Sequence, residues 1–206
     1  MNFSLLGNRV GFFAKTLGGK SNLLKYILLK ERKKFQKIYV ISLTEQINNF
    51  YTDIGIPSNC IFHEYNEDWI NDLMKRLTEY KKHNKNPYNV LLILDDITDA
   101  AHNSKAIKKL FCMGRHLNIS VVMLLQYLYQ APPVCRANFS FVCCGQMNRI
   151  SIDLLCDEFL SGKVTKQEFL ELYHESSKDY NFFIINNNSV KDNNDINSLY
   201  GTIRAY

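Results

Sequence analysis

No run of apolar residues in this chain approaches the roughly 20 needed to cross a bilayer as a helix. The opening Met1-Asn-Phe-Ser-Leu-Leu-Gly7 lacks the basic start and long apolar stretch of a secretory leader, and it is not read as one. No two cysteines form a CxxC pair, and no cysteine–histidine spacing resembles a zinc site. No internal repeat is visible. These absences speak against a bilayer-spanning helix and a zinc-built scaffold. The six cysteines that are present are Cys60, Cys112, Cys135, Cys143, Cys144 and Cys156. Several sit in apolar runs such as 141–144, where a thiol acts as a small buried hydrophobe. Unpaired thiols suit a reducing compartment, so a cytosolic or nuclear setting is expected.

The 206 residues fit one domain with its own core. Basic residues outnumber acidic ones by 25 to 20, an excess that permits an acidic partner such as DNA without demanding one. Short apolar runs at 9–13, 37–42, 60–62, 90–94, 119–125 and 139–144 read as buried strands. Helical periodicity appears at 22–30, 69–83 and 104–117, the second with Ile70, Leu73, Met74 and Leu77 on one face. The cations Lys30, Arg32, Lys33 and Lys34 read as a solvated helix end. Strand and helix alternate to about residue 145, the pattern of βαβ units and a mostly parallel sheet flanked by helices. Two short helices at 152–160 and 166–174 follow. Two strands, 182–185 and 199–205, are expected around an Asn/Asp-rich loop from 186 to 197 with the composition of a mobile segment. The expected organisation is a single domain over 1–206, with a nucleotide-binding core to residue 150 and a small α+β extension over 151–206.

Between the first strand and the first helix lies Ala14-Lys15-Thr16-Leu17-Gly18-Gly19-Lys20-Ser21. A phosphate-binding loop needs backbone N–H groups curled around phosphate oxygens, a lysine for the outer phosphates, a hydroxyl for Mg²⁺ and a helix N-terminus behind the anion. The G-x-x-x-x-G-K-[ST] pattern supplies these, and here Ala14 takes the place of its first glycine. The flanking strand and helix are the context the pattern requires. An ATP-binding P-loop with Lys20 and Ser21 at its working end is the expectation.

The run 91–94 ends in Asp95-Asp96. Beside a P-loop, the first acid of such a pair holds Mg²⁺ and the second is placed to polarise an attacking water. Asp95 is the magnesium candidate and Asp96 the general-base candidate, unless the pair caps the next helix. Gln126 closes the strand 119–125, where an amide is able to sense a γ-phosphate and orient water. Arg115 and Arg136 flank that strand, and either could stabilise transition-state charge on a neighbour's nucleotide or serve as a surface ion-pair partner. His116 is left out of the chemistry.

The stretches 9–24, 90–97 and 114–145 resemble the FtsK–HerA superfamily of DNA-pumping ATPases. They look most like the virion-packaging ATPases of poxviruses, other nucleocytoplasmic large DNA viruses and virophages. The most specific block is Gly114-Arg-His-Leu-Asn-Ile-Ser-Val-Val-Met-Leu-Leu-Gln126, followed by Pro132-Pro133 and Arg136-Ala-Asn138. The resemblance implies a RecA/FtsK-like P-loop fold with ATP at Lys20 and Ser21, Mg²⁺ at Asp95, water activation at Asp96 and a sensor at Gln126. It favours Arg115 over Arg136 as the arginine finger. It also implies a ring of identical copies, usually six, with double-stranded DNA in the channel and capsid proteins as possible partners in a virus factory of the host cytoplasm or nucleus. The stripe Lys105, Lys108 and Lys109 is a channel candidate or simply a solvated face. Two departures stand out: Ala14, and Ala137 where a second arginine is often found. A small nucleotide kinase and a nucleotide-binding assembly factor without turnover are the rival readings. No arginine cluster follows Gln126 to form a kinase lid, and the intact set of polar residues speaks against a dead site.

Overall fold

The structure, a computed structural model, describes residues 2–160, 164–188 and 200–204. Eight strands form one sheet: β1 (Arg9–Phe13), β2 (Lys37–Ser42), β3 (Ile61–Phe62), β4 (Val90–Asp95), β5 (Ile119–Leu125), β6 (Phe141–Cys144), β7 (Asn181–Asn186) and β8 (Tyr200–Arg204). Their spatial order is β3-β2-β4-β5-β1-β6-β7-β8. Strands β1 to β6 pair in parallel, whereas β7 runs antiparallel to β6 and β8 antiparallel to β7. The expected parallel core and strand-paired extension are therefore one continuous sheet.

The central strands are apolar throughout because both of their faces are covered. Along β4, Val90, Leu92 and Leu94 join one core while Leu91 and Ile93 join the other. On β5, Val121, Met123 and Leu125 alternate in the same way with Val122 and Leu124. This is the two-residue period of a strand realised on both sides of the sheet.

Helix α1 (Lys20–Glu31) covers one face with Leu23, Leu24, Ile27 and Leu28. Beyond β2, two short turns of helix, α2 (Glu45–Asn48) and α3 (Phe50–Asp53), bring Tyr51 into the same core. No apolar periodicity marks these turns; the buried Glu45 builds them instead. Its carboxylate accepts bonds from the Tyr51 N–H (2.9 Å), the Thr52 N–H (2.8 Å) and the Thr52 hydroxyl (2.8 Å).

The other face is covered by α4 (Glu67–His83), α5 (Thr98–Asn103), α6 (Lys105–Met113), α7 (Pro133–Asn138), α8 (Arg149–Leu155) and α9 (Lys166–Ser176). Helix α4 begins two residues before its expected start, because the Asn66 side chain accepts the Trp69 N–H (2.9 Å) and caps it. Helix α6 ends at Met113, and residues Gly114–Leu117 tighten into a 3₁₀ turn that closes at the left-handed Asn118. The Pro132-Pro133 pair opens α7, with proline in the first turn where no N–H is needed. The expected loop from 186 to 197 lies outside the described residues after Asn188. No helix among the described residues is long and apolar enough to cross a membrane.

Candidate active site

The C-terminal ends of β1, β4 and β5 meet at one edge of the sheet, where open α/β sheets hold ligands. The segment after β1 turns back over that edge. Lys15 N–H donates to Gln146 O (2.8 Å), the Gly18 N–H donates to Lys15 O (2.9 Å), and Leu17 sits at φ 60° with 90% of its surface exposed. Gly19 follows at φ 86° as the N-cap of α1. No side chain caps this helix and no acid stands in its first turn. The first N–H groups of a 12-residue helix are thus left for an anion.

Ala14 is fully buried and has no positive φ, so its position makes no demand for glycine. Its methyl is accommodated because two of its neighbours carry none. A Cβ added at Gly18 or at Gly145 would each stand 2.9 Å from the Ala14 Cβ.

Lys20 reaches back across the loop, its Nζ donating to Ala14 O at 2.6 Å and Lys15 O at 3.4 Å. Burial lowers its pKa, and the nearby Asp95 and Asp96 oppose that shift. Asp95 ends β4 in register with Ser42 of β2 and Leu124 of β5. Its Oδ2 accepts the Tyr51 hydroxyl at 2.9 Å and the Ser42 hydroxyl at 3.5 Å. Burial is the largest influence on this carboxyl and pushes its pKa up to about 6. Tyr51, Lys20 and Ser42 pull it down, and Asp96 adds to the rise. Burial and the neighbouring Asp95 also push the Tyr51 phenol well above its usual range.

Asp96 leaves the strand at φ 54°, with its N–H donating to Leu124 O (3.1 Å). It does not cap the following helix: α5 has no side-chain cap, and the cap of α6 is Ser104. The left-handed turn instead aims the residue after β4 into the cleft.

An open cleft of about 740 Å³ gathers Thr16, Leu17, Gly18, Gly19, Lys20 and Ser21 with Asp95, Asp96 and Gln126. Ala14 and Lys15 form the base of the loop beneath it. The cleft is also lined by Thr44, Asn48 and Tyr180, which no sequence pattern singled out. Thr44 follows the end of β2, beside β4, so the rule that ligands sit at strand C-termini was the one available signal. Tyr51 and Tyr180 had none, since each reaches the site from another part of the chain.

Arg115 is not in this cleft. It lies before β5, at the other edge of the sheet, and lines a second cavity of about 800 Å³ together with Arg9 and Arg136. Its Nη2 donates to Ser140 Oγ at 3.3 Å. Arg9 is held by Asn138 O (2.7 Å) and Phe111 O (3.1 Å). Arg136 is fully engaged: Nε and Nη2 grip both oxygens of Glu158 at 2.7 and 2.6 Å, and Nη1 donates to Ala131 O at 2.6 Å. That bidentate pair gives Arg136 the structural role that the sequence left unassigned.

Residues 6–202 match the family described as Poxvirus A32 protein. Protein 075L of invertebrate iridescent virus 6 is 33% identical over 201 residues, spanning 93% of this chain and 75% of the relative. Among solved structures, the genome packaging NTPase B204 from Sulfolobus turreted icosahedral virus 2, in complex with ATP-gammaS, superposes with a TM-score of 0.69 over 100% of both chains at 16% identity. The DNA-packaging ATPase B204 from Sulfolobus turreted icosahedral virus gives 0.69 over 98% of both chains at 15% identity. At such identities the likeness shows the fold, an α/β sheet of mostly parallel strands flanked by helices. The resemblance read from Arg115, Gln126 and the surrounding segments therefore holds at the level of both family and fold. With nearly its whole length inside the match, the chain belongs to the Poxvirus A32 protein family.

Proposed function

We propose that this protein hydrolyses ATP and uses the energy to move double-stranded DNA into a viral capsid. The observation that carries this reading is the meeting of Lys20, Ser21, Asp95, Asp96 and Gln126 in one cleft in front of the uncapped start of α1. Each of these groups answers a need of phosphoanhydride hydrolysis. The free N–H groups and Lys20 bind the phosphates. Lys20 exchanges its bond to Ala14 O for a phosphate oxygen. Asp96 accepts a proton from the attacking water, and Gln126 orients that water. Ser21 and Asp95 fit a magnesium ion: both bonds from Tyr51 and Ser42 fall on Asp95 Oδ2, which leaves Oδ1 for a cation or its water. Magnesium, when bound, supplies charge neutralisation between the phosphates.

Translocation rests on the family and on the packaging function named for the B204 structures. Arg115 stands about 20 Å from the cleft, separated by the length of β5, and so suits action on the nucleotide of a neighbouring copy in a ring. The exposed Lys105 and Lys109, with Lys108 beside them, lie opposite the buried face of α6. Among the described residues none of the three pairs with an acid, which leaves them for DNA phosphates.

The test is ATP turnover with and without double-stranded DNA, in the wild type and in Asp96→Asn. Asparagine tolerates the left-handed backbone at this position, so the fold is kept. Turnover stimulated by DNA and lost in the variant is expected. ATP binding without turnover, with DNA and assembled rings present, would favour an assembly factor. Phosphoryl transfer to a small acceptor would favour a kinase.

A further inference from the structure

We propose that Tyr180 is the platform on which the base of the bound nucleoside triphosphate stacks. This inference rests on the nucleotide reading above and adds a specificity residue from the C-terminal extension. The direction in which a nucleotide lies follows from the strand order. Along the sheet edge the order is β4, β5, β1, β6, β7. The phosphates sit over the loop that follows β1, and the outermost phosphate must face Asp95, Asp96 and Gln126 at the ends of β4 and β5. The nucleoside then points the other way, past the end of β6 toward the start of β7. With strands about 4.8 Å apart, β7 lies roughly 10 Å from β1, the reach of a ribose and base beyond a phosphate chain.

Tyr180 stands there. It is the residue before β7, it lines the same cleft as the P-loop, and it is 63% exposed. Among the described residues its ring packs on no other aromatic ring, so the core gives no reason for it. Its backbone is held at φ 60°, and Asp179 before it at φ 51°. Two consecutive left-handed residues, one of them a bulky aromatic, are sterically costly, and strain of this kind collects where a side chain must be aimed.

The turn is also anchored to the P-loop from beneath. Asn181 N–H closes it on Lys178 O (2.9 Å), and Phe183 pairs with Cys144 of β6. The Tyr173 hydroxyl of α9 donates to Gly145 O, while Lys15 N–H of the P-loop donates to the next carbonyl, Gln146 O. The phosphate loop and the helix that leads into the tyrosine turn thus hang on two adjacent residues after β6. A phenol ring presents a π-face to any base and reads area rather than hydrogen bonds, so purine triphosphates of either kind are the expected ligands.

The test compares magnesium-ATP with magnesium-tripolyphosphate, which keeps the phosphates and lacks the base, by calorimetric titration of the wild type, Tyr180→Asn and Tyr180→Phe. Asparagine keeps the left-handed turn without the ring, and phenylalanine keeps the ring without the hydroxyl. We expect Tyr180→Asn to bind ATP roughly tenfold more weakly with tripolyphosphate binding unchanged, and Tyr180→Phe to match the wild type. Wild-type ATP affinity in Tyr180→Asn, or equal losses for both ligands, overturns the stacking role while leaving nucleotide binding intact. A wild type that binds neither ligand overturns the nucleotide reading itself, and the stacking role with it.

Discussion

The methyl of Ala14 and the missing methyl of Gly18 are two halves of one packing decision at the base of the loop between β1 and α1. A Cβ at Gly18 would meet Lys15 O at 2.7 Å as well as the Ala14 methyl, and both are fixed by the turn. Gly18→Ala should therefore weaken magnesium-ATP binding at least tenfold while the protein still folds. Ala14→Gly should change binding by no more than about twofold, because the position needs no positive φ. Titration of both variants with nucleotide checks the pair. Asp95 allows a second prediction at this scale. Its folded pKa of about 6 lies above its ordinary value, so the nucleotide-free fold is penalised for carrying the charge. That penalty is absent below the ordinary carboxylate pKa of about 4, grows as pH rises, and is complete above about 6. Asp95→Asn should thus stabilise the nucleotide-free protein by about 1–2 kcal/mol at pH 7. Thermal unfolding should show that gain shrinking toward zero at pH 4, and losing magnesium-ATP protection is its expected cost.

At the scale of elements, the grip of Arg136 on Glu158 ties α7 to the turn after α8, with the Arg136 side chain only 10% exposed. Removing one partner leaves the other charge partly buried and unpaired, so Glu158→Ala should cost about 2–3 kcal/mol in denaturant unfolding. Nucleotide affinity should stay unchanged, because the pair lies in the cavity away from the cleft. Elements with strong local signals are legible in the sequence alone: the apolar runs of β1, β4 and β5, and the stripe on α4. Their ends are less so, and for a consistent reason. Helix α4 starts where Asn66 caps it, and α6 stops where its last turn tightens before a left-handed asparagine. Those choices depend on single hydrogen bonds rather than on periodicity. The short helices α2 and α3 are illegible because their buried organiser, Glu45, is a charged residue that sequence patterns assign to the surface.

For the whole molecule, the proposed action of Arg115 on a neighbour's nucleotide would divide one reaction between two copies, since Arg115 does not line the cleft of its own chain. A subunit with Arg115→Ala keeps a complete cleft, and a subunit with Lys20→Ala keeps a complete arginine. Mixed in one assembly, the two inactive variants should recover part of the DNA-stimulated turnover, maximal near equal proportions. No recovery at any ratio, with mixed assemblies verified by native mass spectrometry, would confine the reaction to single copies and remove Arg115 from it. Arg115→Ala alone should leave the fold within about 0.5 kcal/mol of the wild type, since the side chain offers one bond, to Ser140.

The sequence by itself determined the glycine-rich loop between β1 and α1, the acid pair after β4 and the polar end of β5, because a loop between strand and helix and a side chain at a strand end are local devices. Each is a strand that stops, a turn that follows and a side chain at the junction, all within a few residues. It also determined a parallel sheet, since a strand buried on both faces must be apolar along its whole length. Only the tertiary structure decided that Tyr51 would hold Asp95, that Arg136 would be spent on Glu158, and that a tyrosine 160 positions after Lys20 would line the same cleft. Those contacts join elements separated in the chain that the strand order and the helices packed on it bring together. Strand order is set by the packing of both faces at once, and no short stretch of residues encodes it.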